Sequence, residues 1–164
     1  MRILGIDPGS RSTGVGIIDA VGGRLRRVHH QTIRCADRPF PHRLAMLFLE
    51  LKELIARFRP DVAAVEDLFM AKNASAALKL GQARGALIAA CADAGIEVFA
   101  YPPATVKQAL AGFGRADKGQ IQYMVGMLLA TREPVQEDAA DALAVAICHA
   151  HHCPMRRPQT GKGS

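Results

Sequence analysis

Apolar positions along this chain repeat at two periods, and the change of period marks out its elements. Residues 2–6 form a short apolar run that stops at Asp7-Pro8-Gly9, the pattern of a buried strand feeding a turn. Residues 14–19 carry Val15, Ile17 and Ile18 and predict a second strand. Gly22-Gly23 is a tight hairpin signal. Residues 24–34 space Leu25, Val28 and Ile33 among basic and polar residues, a third strand with a polar outer face. Short turns between these three runs predict an antiparallel meander.

The period then lengthens. Pro39 and Pro41 break the chain. Leu44, Leu47, Phe48, Leu51, Leu54, Ile55 and Phe58 follow at helical spacing, with Arg43, Glu50, Glu53 and Arg57 off the stripe. Pro60 ends this helix, and residues 62–65 read as a buried fourth strand running into Glu66-Asp67. Residues 75–94 predict a helix rich in Ala and Gly, with Gly95 as its cap. Ala77, Gly81 and Gly85 put a smooth stripe on that helix, suited either to packing on the sheet or to a helix of a second copy. A fifth strand at 96–100 ends at Tyr101-Pro102-Pro103. Helices are expected at 105–111, 120–131 and 137–151, with a loop at 112–119 holding Arg115 and Lys118. The whole reads as one α/β domain over 1–152, with two strands added in parallel to the meander through helical crossovers. Residues 153–164, dominated by Pro, Arg, Lys, Gly and Ser, read as a disordered basic tail.

Composition sharpens the picture. In 164 residues, 49% hydrophobic and 22% charged, the balance is globular and excludes a disordered chain. The net charge of +6 suits a polyanionic partner. No run approaches the roughly 18 apolar residues that cross a bilayer, so no membrane role is expected. The start, Met1 to Gly9, lacks a signal-peptide pattern and predicts a cytoplasmic protein. Cys35, Cys91, Cys148 and Cys153 form no CxxC pair and read as free thiols.

The candidate chemistry lies in carboxylates. Asp7 ends the first strand and Glu66 the fourth, and ligands of open α/β sheets bind beyond such strand ends. Asp138 and Asp141 are three apart on a predicted helix, hence on one face, with alanines between them that permit close packing. Each has a plain structural reading: Asp7-Pro8-Gly9 as a turn, Asp138 and Asp141 as first-turn acids favoured by the helix dipole. Glu66, after an apolar strand, is harder to explain that way, because a buried charge is costly unless used. Gathered together, four acids repel, and a divalent cation relieves the repulsion. Oxygen ligands without Cys or His select Mg²⁺ or Mn²⁺, and two such ions can drive phosphodiester hydrolysis. An Asp-x-Gly turn also opens two-domain ATPases, which 164 residues cannot accommodate. His149, His151, His152 and Cys153 match no structural zinc spacing and read as a frayed helix end.

Taken together, Gly5-Ile6-Asp7-Pro8-Gly9-Ser10 with Thr13-Gly14, Val65-Glu66, Phe69-Met70-Ala71-Lys72-Asn73, the run from Ala77 to Gly85, Val106-Lys107-Gln108, and Asp138-Ala139-Ala140-Asp141-Ala142-Leu143-Ala144 resemble the RuvC family of bacterial Holliday-junction resolvases. The likeness runs from Met1 to about His151. It implies an RNase H-like fold, a five-stranded mixed sheet with helices on both faces. It also implies a homodimer that nicks two opposed strands of four-way junction DNA, metal-binding catalytic roles for Asp7, Glu66, Asp138 and Asp141, and work alongside the RuvA–RuvB branch-migration complex. Lys107 and Lys118 fall near the scissile phosphate by the same resemblance, where cations offset developing charge. It supports Phe69 as a wedge at the junction point, against a core or loop-anchoring role. By charge, Lys72, Lys79, Arg84 and Arg115 are candidates for backbone phosphate contacts. Two positions depart from the family pattern. Asp67 follows Glu66 and reads either as a spare ligand or, as strand alternation favours, as a side chain that points away; Gly119 follows Lys118 in place of a small hydroxyl residue. The alternatives are another RNase H-like nuclease acting on RNA or hybrids, and a junction-binding module without catalysis.

Overall fold

A computed structural model describes residues 1–67, 73–130 and 135–153. Its sheet holds β1 (Arg2–Asp7), β2 (Ser12–Val21), β3 (Arg24–Arg34), β4 (Val62–Glu66) and β5 (Glu97–Tyr101) in the order β3-β2-β1-β4-β5. The meander β1-β2-β3 is antiparallel, whereas β4 joins β1 and β5 joins β4 in parallel. This is the mixed sheet that short turns followed by helical crossovers predict.

Helix α1 (Phe40–Phe58) is the first crossover and α2 (Ala74–Asp93) the second. They cover one face, where Leu4, Ile6, Val15, Ile17, Ala63 and Val65 meet Leu47, Leu51, Leu87 and Cys91. On the other face lie α3 (Pro103–Ala111), α4 (Lys118–Leu128) and α5 (Glu137–His152), packed on Ile3, Ile18 and Ala64. Strand alternation therefore sorts the chain: even positions of β1 face α1 and α2, and odd positions, Asp7 among them, face α5.

Several element boundaries move from their expected places: β2 is longer at both ends than 14–19, α3 starts at Pro103 rather than 105, and α4 ends at Leu128 rather than 131. Pro39 and Pro41 do not break the chain; Pro39 is the N-cap of α1 and Pro41 lies in its first turn, where a missing N–H costs nothing. Helix α4 starts at Lys118, not Gln120, because Asp117 and Gln120 form a capping box. Helix α5 is intact to His152 rather than frayed, and His149 is buried within it. The His149 Nδ1 hydrogen-bonds the Tyr101 hydroxyl at 2.8 Å, and its ring lies 4.7 Å from Phe99. Burial holds this imidazole below its usual pKa.

Cys35, Cys91 and Cys148 are buried free thiols, as their apolar contexts predict. The Ala77, Gly81 and Gly85 stripe does not pack on the sheet. That contact belongs to Ala83, Leu87, Ala90 and Cys91, while Ala77 and Gly85 are exposed and nothing lies within 4 Å of a Cβ built on Gly85. Among the described residues no helix is long and apolar enough to cross a membrane.

Candidate active site

The site is built where α5 crosses the sheet. Three glycines on β1 and β2 remove the side chains that would hold the helix away. A Cβ on Gly14 would stand 1.8 Å from the Asp138 carbonyl oxygen, one on Gly5 2.0 Å from that of Ala142, and one on Gly16 2.7 Å from Leu143. The alanines at 139, 140, 142, 144 and 146 complete this contact, all of them buried. Gly14 is also the cross-strand partner of Asp7. The backbone of Asp138 thus rests on the residue beside Asp7, and the start of α5 is fixed against the end of β1.

Glu66 ends β4, the parallel neighbour of β1, with Val65 paired to Ile6. It shares its face with Ala64, the α5 side. The four acids gather here. Asp7 feels the negative charges of Glu66, Asp141 and Asp138, and its carboxyl hydrogen-bonds that of Glu66. Burial, then these like charges, push Asp7 up to about 8, so at neutral pH it is the protonated donor. Glu66 is also raised, chiefly by burial, although the hydrogen bond from Asp7 favours its ionised form. Asp141 is raised by burial first, against the opposing charge of Lys118.

Two lysines face this cluster. Lys107, on α3, lies near enough to Glu66 and Asp141 to favour their ionised forms. Lys118, the first residue of α4, ion-pairs with Glu137 and stands 3.8 Å from Asp141. Its hydrogen bond to Glu137 raises its own pKa. Glu137 was not singled out in the sequence. Its position next to Asp138, in the first turn of α5, is the signal that could have found it.

The other predicted contacts are spread more widely. Asp67 points away from the acids, as alternation predicts, and its carboxylate pairs at 3.3 Å with Arg84 of α2. The Arg84 guanidinium also donates to the Glu66 carbonyl at 3.3 Å, so this arginine braces the end of β4 from beneath the sheet. Lys79 is exposed on α2 with its ammonium 5.9 Å from the Phe40 ring centroid, and Arg115 is exposed in the loop before α4. Phe69 and Lys72 lie outside the described residues.

The donor set suits a hard divalent cation: carboxylates only, three of them with raised proton affinity because their charges are buried together. Among the described residues, no three acidic, histidine or cysteine side chains close on one point as placed. The Lys118 ammonium, 3.8 Å from Asp141, supplies positive charge beside the cluster.

Known proteins resemble the chain over nearly its whole length. The family model described as crossover junction endodeoxyribonuclease RuvC matches residues 3–149. The chain is 56% identical over 156 residues to the crossover junction endodeoxyribonuclease RuvC of Geobacter sp. (strain M21), covering 94% of this chain and 95% of that protein. It is 57% identical over 152 residues to the protein of the same name from Citrifermentans bemidjiense, covering 92% and 93%. The structure of Thermus thermophilus RuvC in complex with a Holliday junction substrate superposes with a TM-score of 0.88 at 37% identity, covering 93% of this chain and 94% of that one. With its glycine-floored acid cluster on a mixed five-stranded sheet, the chain belongs to the RuvC family of crossover junction endodeoxyribonucleases.

Proposed function

We propose that this chain resolves four-way DNA junctions in recombination and repair, hydrolysing one phosphodiester in each of two symmetric strands, with the acid cluster as its hydrolytic centre. The observation that carries the reading is that Glu66, Asp138 and Asp141 stand near enough to Asp7, where the ends of β1 and β4 meet the start of α5, for all three charges to act on it. Family membership and the likeness to a RuvC bound to a Holliday junction substrate support junction DNA as the substrate.

Asp7, Glu66, Asp138 and Asp141 would hold Mg²⁺, or Mn²⁺ in its place, with two ions per site. Bound there, such ions supply Lewis acidity, which makes water nucleophilic near neutral pH and stabilises charge on phosphate oxygens. Burial among like charges raises the proton affinity of Asp7, so a cation held there would take the place of that proton. Lys107 and Lys118 place positive charge beside Glu66 and Asp141, where a phosphorane would gather negative charge. Water attacks phosphorus in line and the bond to the 3′ oxygen breaks, leaving a 5′-phosphate and a nick that can be sealed. Lys79 and Arg115, both exposed, are suited to sequence-independent phosphate contacts, and Lys72 and the wedge Phe69 are proposed for the same surface.

A two-fold junction suits a two-fold protein. The exposed apolar face of α2, with Leu78 69% exposed beside Ala77 and Gly81, supports a homodimer. Cooperation with a RuvA–RuvB branch-migration complex and action in the cytoplasm complete the proposal.

Cleavage of a synthetic mobile junction, a linear duplex and an RNA–DNA hybrid tests it. The junction should be cut with Mg²⁺ and spared with Ca²⁺ or EDTA. Asp7→Asn should bind the junction and leave it intact; retained cleavage by that variant refutes the assignment, and preference for the hybrid favours a different nuclease.

A further inference from the structure

We infer that the cleft between β3 and the start of α5 is a subsite for the cleaved strand, holding a phosphate one to three nucleotides from the cut. This rests on the junction-nuclease reading and adds to it a second place where the same strand is gripped.

The cleft encloses about 580 Å³ and is lined by His30, Gln31, Thr32, Arg34 and Gln136. That volume falls within the range of about 300–1,000 Å³ typical of small-ligand sites. Its lining differs from a usual ligand pocket in being polar throughout. Among the described residues its lining holds no carboxylate, although one sheet row joins it to the acids around Asp7. A donor-rich, acid-free hollow beside an acidic centre is suited to the negative oxygens of a polynucleotide.

The sheet fixes how far the cleft lies from the chemistry. Asp7 pairs with Gly14, and Gly14 pairs with Thr32, so the three residues stand in one row across β1, β2 and β3. Strands lie about 4.8 Å apart, which puts Thr32 roughly 10 Å from Asp7. A nucleotide advances about 3.4 Å along the axis of a duplex strand and further when extended, so that span corresponds to one to three nucleotides. The first turn of α5 rests on Gly14 between the two, so a strand that reaches from one to the other passes over the start of that helix.

Two observations indicate that the cleft is prepared for a ligand. Thr32 lines the cleft, and its hydroxyl oxygen, closed off from solvent, has no hydrogen-bond partner among the described residues, a costly arrangement that a bridging water or a small movement of the wall onto a ligand would relieve. Gln136, which lines the cleft, is the N-cap of α5, and its side chain makes no capping bond to the first N–H groups of that sixteen-residue helix. The Arg34 guanidinium spans the rim and donates to Gln136 Oε1 at 3.4 Å, a long contact that a phosphate would readily displace.

Neutralising phosphates one at a time tests the subsite. Junctions carrying a single methylphosphonate at each position within three nucleotides of the cut are cleaved by the wild-type protein and by Arg34→Ala under single-turnover conditions. For the wild type, one position on one side of the cut should slow cleavage roughly tenfold. Arg34→Ala should cleave the unmodified junction more slowly by a similar factor and be indifferent to neutralisation at that position, so that the two losses do not add. Thr32→Val should cause a smaller loss at the same position with an unchanged melting temperature. Additive losses at every position, or no sensitive position in the wild type, overturn the subsite. Failure of the wild type to cut the unmodified junction would instead overturn the nuclease reading on which it rests.

Discussion

Replacing Gly14 by alanine isolates the link between packing and chemistry. The new Cβ would stand 1.8 Å from the Asp138 carbonyl oxygen and 2.5 Å from its carbon, both backbone atoms that no rotamer change can move aside. Restoring ordinary contact at 3.4 Å requires the first turn of α5 to retreat by about 1.6 Å. Asp138 rides on that turn and Asp141 lies one turn further along the same face. A misplacement of about 1 Å at a reacting centre can cost roughly a hundredfold in rate. Overpacking of this kind typically costs about 1–3 kcal/mol of stability, or roughly 2–12 °C in melting temperature for a chain of this size. We therefore expect Gly14→Ala to remain folded by circular dichroism, to melt several degrees lower, and to bind junction DNA within about threefold of wild type. Its single-turnover cleavage should fall by a hundredfold or more. Melting within one degree of wild type together with cleavage within twofold would refute the reasoning, since the helix would then have no need of a bare strand to set its acids.

Two further predictions follow from the site's electrostatics. Asp7 is held near 8, far above the 3.8 of an unperturbed aspartate, so the folded state keeps a proton that the unfolded chain loses. Stability without metal should therefore fall as pH rises from about 4 to 8, at up to about 1.4 kcal/mol per pH unit. Asp7→Asn should melt higher than wild type, by a margin that is larger at pH 8 than at pH 5; an equal margin at both would contradict the raised pKa. Lys118→Met removes the cation beside Asp141 and Glu137, so it should weaken binding of the scissile phosphate and lower cleavage while costing at most about 1 kcal/mol of stability, because the side chain is 68% exposed. Undiminished cleavage by this variant would remove Lys118 from the site.

Much of this was legible in the sequence because each piece rests on local periodicity. The apolar runs of β1 and β4 end at Asp7 and Glu66, and alternation alone put Asp67 on the opposite face, where Arg84 meets it. The i, i+3 spacing of Asp138 and Asp141 gave one helical face. What escaped involves contacts between distant segments or signals that compete. Gly14 and Gly16 look like ordinary strand residues until α5 is laid across them. His149 reads as one of several histidines at a helix end, and only its contact with Tyr101, 48 residues earlier in the chain, buries it. Glycines at 112, 114 and 119 read as a loop holding Lys118, whereas the Asp117–Gln120 capping box makes Lys118 the first residue of α4. The stripe on α2 left two readings open, and packing removed one: the sheet takes the opposite side of that helix.

The central claim is that a cluster of half-buried carboxylates exchanges a proton held at Asp7 for hard cations. Calorimetric titration of Mg²⁺ or Mn²⁺ into the DNA-free protein at pH 7, repeated in buffers of different ionisation enthalpy, measures that exchange directly. The account predicts saturable binding with close to one proton released per site, and loss of that release in Asp7→Asn. Saturable binding with no proton released, or identical release from the variant, would contradict it.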